Sequence, residues 1–264
     1  MTRIICKMGL KLLFLQSLTA VFFSYTAFAN STVTDIIKQV TPAVVAVGKK
    51  TPIEYRGSRI IGTGFVIGNG KYAVTNYHVV SEPLSVDVVQ NYVVLSGEGR
   101  NVSEFIAEVI AIDPIHDLAI LEINSNLPGL NLGEDTMLDI GIDIAFTGFP
   151  IGAILGLYPA THKGSLAAIT PDAIPANNAD VLTLSLLKRL KKPSLIYQLD
   201  ATAYPGNSGS AVYEQSSGEV VGIINKVIVK DTKESALSSP SGISYAVPVK
   251  HIRALAEKHK LIWE

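Results

Sequence analysis

Apolar runs of five to eight residues, rich in β-branched and aromatic side chains, recur along most of the chain between glycine, proline and asparagine punctuation. That is the pattern of an all-β protein. Strands are predicted over residues 43–48, 64–67 and 72–75, and the last two flank Gly68-Asn69-Gly70, a tight hairpin whose Asn-Gly pair supplies positive φ. A second hairpin joins residues 105–112 to 118–123 across Asp113-Pro114. Residues 124–134 read as loop, and residues 142–149 as the strand that closes a first unit, which puts the boundary to a second unit near residue 150. Further strands are expected over residues 165–170, 196–202, 209–213 and 219–229, the last two joined by a Ser216-Ser217-Gly218 turn. Helices are few: a short one over residues 35–40 ahead of Pro42, and a terminal amphipathic one over residues 249–260 with Ile252, Leu255 and Ala256 at helical spacing. No internal repeat with a solenoid period is present.

The start of the chain follows a different plan. Arg3, Lys7 and Lys11 precede a mostly apolar stretch over residues 12–23, and Ala27-Phe28-Ala29 then offers a small-x-small cleavage site. Residues 1–29 therefore read as a secretory signal peptide cut after Ala29, the alternative being an uncleaved anchor; an apolar run of about a dozen residues is short for a bilayer. Cleavage of 29 of the 264 residues leaves 235, with 19 basic side chains against 23 acidic ones. A mildly acidic chain has no general attraction for phosphate backbones, so nucleic acid is not an expected partner. The one cysteine, Cys6, leaves with the leader, so neither a disulfide nor a cysteine metal site is expected in the mature, exported protein, whether periplasmic or secreted.

The chemistry-bearing residues fall in three places. Tyr204-Pro205-Gly206-Asn207-Ser208-Gly209-Ser210 sets a serine among glycines, where the backbone can turn sharply and aim the N–H groups of Gly206 and Ser208 at an oxyanion. Thr75-Asn76-Tyr77-His78-Val79-Val80 places a histidine at a strand end, and His116-Asp117-Leu118-Ala119-Ile120-Leu121 a carboxylate at the edge of an apolar strand. A hydroxyl needs a base to take its proton and a group to orient that base. His78, Asp117 and Ser208 supply these parts in the His, Asp, Ser chain order of the trypsin-like template. Ser210 breaks the Gly-x-Ser-x-Gly elbow of the α/β-hydrolases. His162, His251 and His259 read as surface residues with no metal-ligand spacing, and Gly70-Lys71 is not a phosphate loop, so neither metal nor cofactor is expected.

Gly-Thr-Gly-Phe-Val-Ile at 62–67, Thr-Asn-Tyr-His-Val-Val at 75–80, Asp-Leu-Ala-Ile-Leu at 117–121 and Pro-Gly-Asn-Ser-Gly at 205–209 together resemble the HtrA/Deg branch of trypsin-like peptidases. The resemblance extends through Gln198-Leu199-Asp200-Ala201, Val221-Gly222-Ile223-Ile224-Asn225 and residues 242–248, covering roughly residues 35–255. It implies an all-β chymotrypsin-like fold of two Greek-key β-barrels, residues 30–150 and 151–264, with a C-terminal helix and the substrate in the cleft between barrels. It also implies cleavage of peptide bonds in protein or peptide substrates through an acyl-enzyme, without a metal. Ser210 stands where the family commonly has a second glycine, and neither a PDZ domain nor the long aromatic segment used for trimerisation is expected here. The substrate pocket is expected to be lined by Thr202, Ala203, Tyr204, Asn225, Lys226 and Val227, with no carboxylate to select basic side chains and hence a preference for small or medium apolar ones. Residues 171–193 read as an insertion able to form a short amphipathic helix packed on the barrel, a lid, or a contact with an anionic membrane. A catalytically silent or chaperone-like binding protein, and an esterase, are the competing functions on this fold.

Overall fold

The computed structural model describes residues 32–51, 57–85, 88–150, 156–172, 193–225 and 242–262. Among these, α1 (Val33–Val40) and a 3₁₀ turn lead into β1 (Val44–Lys50), β2 (Arg59–Ile67), β3 (Tyr72–Thr75), the short helix α2 (Tyr77–Val80), β4 (Asn91–Glu98), β5 (Asn101–Asp113) and β6 (Leu118–Ile123). There follow β7 (Asp143–Gly148), β8 (Ala160–Pro171), β9 (Leu195–Asp200), β10 (Ala211–Glu214), β11 (Val220–Ile224), β12 (Ile243–Pro248) and α3 (Lys250–Lys258). The strands close into two barrels, in the orders β1-β2-β3-β6-β5-β4 and β10-β11-β12-β9-β8-β7, with antiparallel pairing throughout.

Period-two alternation sorts side chains into three apolar clusters. On β1, Val45 and Val47 enter the first barrel with Val66, Ala73, Ala119 and Leu121, while Val44 and Ala46 join Phe65, Ile67 and Ile120 on the opposite face. That opposite face is also covered: the same cluster takes Ala211, Tyr213, Ile223 and Val247 from the second barrel and Ile252, Leu255 and Ala256 from α3. The second barrel's interior is filled by Ile144, Phe146, Leu166, Leu199, Val212 and Ala246. Strands covered on both faces lose the polar half of the alternation, which is why they read as continuous apolar runs. Burial of each large side chain, such as Phe65 or Ile120, contributes on the order of 1.5–3 kcal/mol.

Four expectations are corrected by this architecture. The strand at residues 142–149 does not close the first unit: β7 pairs with β8 and β10 and sends Ile144 and Phe146 into the second core. The changeover between barrels therefore lies between Ile123 and Asp143, ahead of residue 150. In the β2–β3 turn the left-handed positions are Gly68 (φ 56°) and Gly70 (φ 86°), not Asn69, whose Oδ1 instead accepts the Lys71 N–H at 3.2 Å. α1 begins two residues earlier than Asp35, because Thr32 caps it in a reciprocal box with Asp35. β4, which the sequence pattern missed, completes the first barrel between β1 and β5.

The leader expected at residues 1–29 and most of the insertion expected at 171–193 lie outside the described residues. The described flanks of the latter are held together: Asp172 N donates to Ser194 O at 2.8 Å and Ser194 N to Asp172 Oδ1 at 3.0 Å.

Candidate active site

Asp117 ends the β5–β6 turn with φ 56°, one of only two non-glycine residues in the left-handed region among the described residues. For an L-residue that geometry costs roughly 1–2 kcal/mol, and here it is held by four hydrogen bonds. Its carbonyl accepts from Tyr77 N at 3.0 Å and Asn76 Nδ2 at 3.1 Å. One carboxylate oxygen accepts from His78 N at 2.8 Å and the other from His78 Nδ1 at 2.6 Å. His78 stands on α2, directly after β3, whose pairing with β6 sets Thr75 opposite Ala119 and so brings α2 to the turn. A carboxylate bonded to both the main chain and the ring of one histidine fixes the ring plane and its tautomer, leaving Nε2 as a base. His78 remains 38% exposed at the side chain, against 19% for Asp117.

Ser208 comes from the loop before β10. Asn207 N donates to Tyr204 O at 3.0 Å, Ser210 N to Asn207 O at 2.9 Å and Gly209 N to Ile224 O at 3.1 Å, so the loop is coiled on itself and pinned to β11. Gly206 (φ 101°) and Gly209 (φ 90°) supply the conformations that other residues resist. The N–H groups of Gly206 and Ser208 have no acceptor among the described residues and remain as a donor pair.

Thr63 of β2 joins this loop to the first barrel, a role the sequence pattern did not single out although Thr63 lies in one of the motifs carrying the resemblance. Its N–H donates to Ser208 O at 2.9 Å and its hydroxyl to Gly206 O at 2.6 Å, while Thr75 Oγ1 donates to Thr63 O at 2.7 Å. The serine loop is thereby fixed against β2, and through Thr63 to Thr75 at the end of β3, three residues before His78. Among the described residues no hydrogen bond joins His78 to Ser208, although Val79 and the Ser208 carbonyl both lie against Gly62. The Ser210 hydroxyl sits over Gly148 in the second barrel, where a Cβ would lie 2.0 Å from its Oγ, so position 148 has room only for glycine.

Of the expected pocket residues, Ala203 is buried, Thr202, Tyr204 and Asn225 are half-buried, and Lys226 and Val227 lie outside the described residues. His162 is not a surface residue as expected. It stacks on Phe146 with ring centroids 4.9 Å apart and tilts against Tyr204 at 5.7 Å, and burial lowers its pKa below the ordinary histidine value. His251 is also no surface residue: its ring stacks on His116 at 3.8 Å and its Nε2 is buried with no partner.

Burial, together with the neighbouring His116 and Lys250, lowers the His251 pKa from 6.5 to about 4. The unfolded chain therefore takes up a proton between these values that the folded chain refuses, so stability falls as pH drops through that window. The expected loss is about 1–2 kcal/mol after discounting for the part of the ring that water still reaches. Urea unfolding from pH 7 to pH 4.5 reads it, and His251→Phe, which keeps a stacking ring but does not titrate, should flatten the profile; an equally steep profile in the variant would assign the loss elsewhere.

Residues 62–223 match the family described as a trypsin-like peptidase domain. A DegP-like periplasmic serine endoprotease of Marinomonas sp. is 26% identical over 214 residues, 81% of this chain and 38% of that protein. The serine protease HhoA of Synechocystis sp. is 30% identical over 217 residues, 79% of this chain and 45% of that one. The chain thus spans less than half the length of these curated relatives. A solved HtrA-type protease with a tripeptide superposes with a TM-score of 0.60 at 25% identity, over 86% of this chain and 63% of that chain. The serine endoprotease from Yersinia pestis shares the fold, with a TM-score of 0.58 at 22% identity over 86% and 66% of the two chains. Two six-stranded barrels, the pairing of His78 with Asp117 and a match across most of the barrel residues lead to one conclusion: this chain belongs to the trypsin-like peptidase domain family.

Proposed function

We propose that the chain is an exported serine endopeptidase with Ser208 as nucleophile, His78 as general base and Asp117 as the group that orients it. The observation that carries this reading is the grip of Asp117 on both the main chain and the ring of His78, across from a serine loop with two unused N–H donors. With Nδ1–H given to Asp117, Nε2 takes the Ser208 proton as Oγ attacks the scissile carbonyl, once the two side chains come into contact around substrate. Gly206 and Ser208 N–H then bond the oxyanion. Collapse breaks the C–N bond, the leaving amine takes the proton from His78, and water attacks the acyl-enzyme by the same route in reverse.

Thr202, Ala203, Tyr204 and Asn225 form the described part of the substrate pocket and suit small or medium apolar side chains. The periplasmic relatives and the leader pattern support export and a role in turnover of damaged envelope proteins. One preparation tests the whole reading. Protein expressed from its own leader should be recovered from the periplasm beginning at Asn30, react with a fluorophosphonate at Ser208 and degrade casein. Folded protein that binds casein, leaves it intact and takes no label would make the chain a binding protein on a peptidase fold.

A further inference from the structure

Next to Asp117 the structure holds a second Asp-His-Ser arrangement. His116 Nδ1 donates to Asp113 Oδ2 at 2.5 Å, and on its other side Nε2 lies 3.1 Å from Ser194 Oγ. The other Asp113 oxygen accepts the N–H groups of Ile115 at 3.0 Å and His116 at 3.3 Å, closing the turn from inside. One face of the His116 ring is covered by His251 of α3, at 3.8 Å and 20° from parallel. This is not a second nucleophile, because Ser194 N–H is spent on Asp172 and its carbonyl on Asp172 N–H, so Ser194 offers no donor for an oxyanion.

The arrangement has a different use, set by chain position. Asp113 and His116 belong to the first barrel, Ser194 to the base of the segment between β8 and β9, and His251 to the terminal helix. The ring of His116 is therefore fixed from three elements, and the next peptide unit leads into Asp117 in its left-handed conformation. We infer that His116 is a positioning residue: clamped by Asp113, Ser194 and His251, it sets the backbone of Asp117 and so aims the carboxylate at His78, coupling the ends of the β8–β9 segment to the pair.

The clamp tolerates a change of charge. Neutral His116 donates to Asp113 and accepts the Ser194 hydroxyl proton; protonated His116 donates on both sides while Ser194 turns to accept. The charged and titratable groups around the stacked pair of His116 and His251 are Asp113 on the turn, Asp172 on the β8–β9 segment and Lys250 on α3. Burial would raise the Asp113 carboxyl, but its bonds from His116 hold it below the ordinary carboxylate value. His251, held neutral, keeps a second positive ring away from the stack.

The inference rests on the triad reading, and the test separates the two. His116→Phe keeps a ring on His251 and loses both hydrogen bonds; Ser194→Ala removes one oxygen and Ser194→Thr restores it. In folded protein, His116→Phe should lower kcat about ten- to a hundredfold with KM nearly unchanged and move the acid limb of kcat/KM to lower pH, because a loosened Asp117 stabilises the His78 imidazolium less. Ser194→Ala should lose several-fold and Ser194→Thr recover. A direct readout needs no activity: the wild type should show two downfield imidazole proton signals in NMR, assigned by His78→Ala and His116→Phe. His116→Phe should remove its own signal and shift or broaden that of His78. An unchanged His78 signal, or wild-type kcat and acid limb in His116→Phe and Ser194→Ala, would overturn the positioning role, whereas a wild-type protein that keeps both signals but cleaves nothing would overturn the peptidase reading alone.

Discussion

Ser208→Ala is expected to abolish cleavage of casein and of peptide substrates, with His78→Ala close behind and Asp117→Asn somewhat less severe. Where a serine, histidine and aspartate act on one proton, loss of nucleophile or base costs about 10⁶ in kcat, and a change of the aspartate to its amide about 10⁴. The smaller figure follows from the role proposed for Asp117, which is to select the ring tautomer and stabilise the imidazolium, neither attacking nor accepting the proton. Asp117→Asn should be more damaging than its size suggests, because Oδ1 also holds the His78 main chain at 2.8 Å and Oδ2 the ring at 2.6 Å. An amide satisfies one of those donors and presents its own N–H to the other. Folding should survive in Ser208→Ala and His78→Ala, since neither side chain belongs to an apolar cluster. The losses should not add, because a base without a nucleophile has nothing to activate. Initial rates for the three single and three double variants, normalised to folded protein, decide the matter. Full activity in Ser208→Ala would remove the mechanism, and additive losses would mean that the three residues do not share one proton.

What was legible in the sequence, and what was not, divides along physical lines. Residues 118–123 and 64–67 are apolar segments next to turn residues; the first is a strand with the expected bounds, while the second is the end of β2, which begins at Arg59. The three site motifs were legible because each is short and local. The barrel to which residues 143–148 belong was not, because it is decided by partners distant in sequence: Ala160 to Ser165 on β8 and Ala211 to Glu214 on β10. β4 was missed since Asn91–Glu98 ends in Ser96, Gly97 and Glu98, which look like turn residues until they pair with Ser103, Val102 and Asn101. Thr63 went unremarked because a lone threonine in a strand has no chemical signature; only the fold shows that its N–H and hydroxyl hold the carbonyls on both sides of Asn207. His162 and His251 read as surface residues, and His116 carries no role in its motif, for the same reason: stacking partners come from distant strands and helices.

The second large effect is expected from a glycine next to the proposed nucleophile. Gly209 has φ 90°, and a Cβ built on it would lie 2.0 Å from the carbonyl oxygen of Thr63 and 2.7 Å from Thr75 Oγ1. The first of these atoms is main chain in the centre of β2, which cannot swing aside as a surface side chain would. Gly209→Ala therefore meets two costs, roughly 1–2 kcal/mol for the left-handed backbone and a further 1–3 kcal/mol for overpacking. Part of the strain can be relieved by pushing the loop away from β2, but that displaces Ser208 from His78 and the Gly206 and Ser208 N–H groups from the oxyanion. A shift of about 1 Å in such a site costs on the order of 10² in rate. Gly141→Ala is the matched control: φ is 97°, yet nothing lies within 4 Å of its Cβ, so it should lose only the conformational cost and keep full activity. Urea midpoints and kcat for the two variants, measured side by side, separate backbone strain from steric conflict. Gly209→Ala should fall by about 2–5 kcal/mol in stability and at least a hundredfold in kcat. If it tracked Gly141→Ala in both, the contact with Thr63 would not be what fixes the serine loop, and the route from β2 to the nucleophile would have to be abandoned.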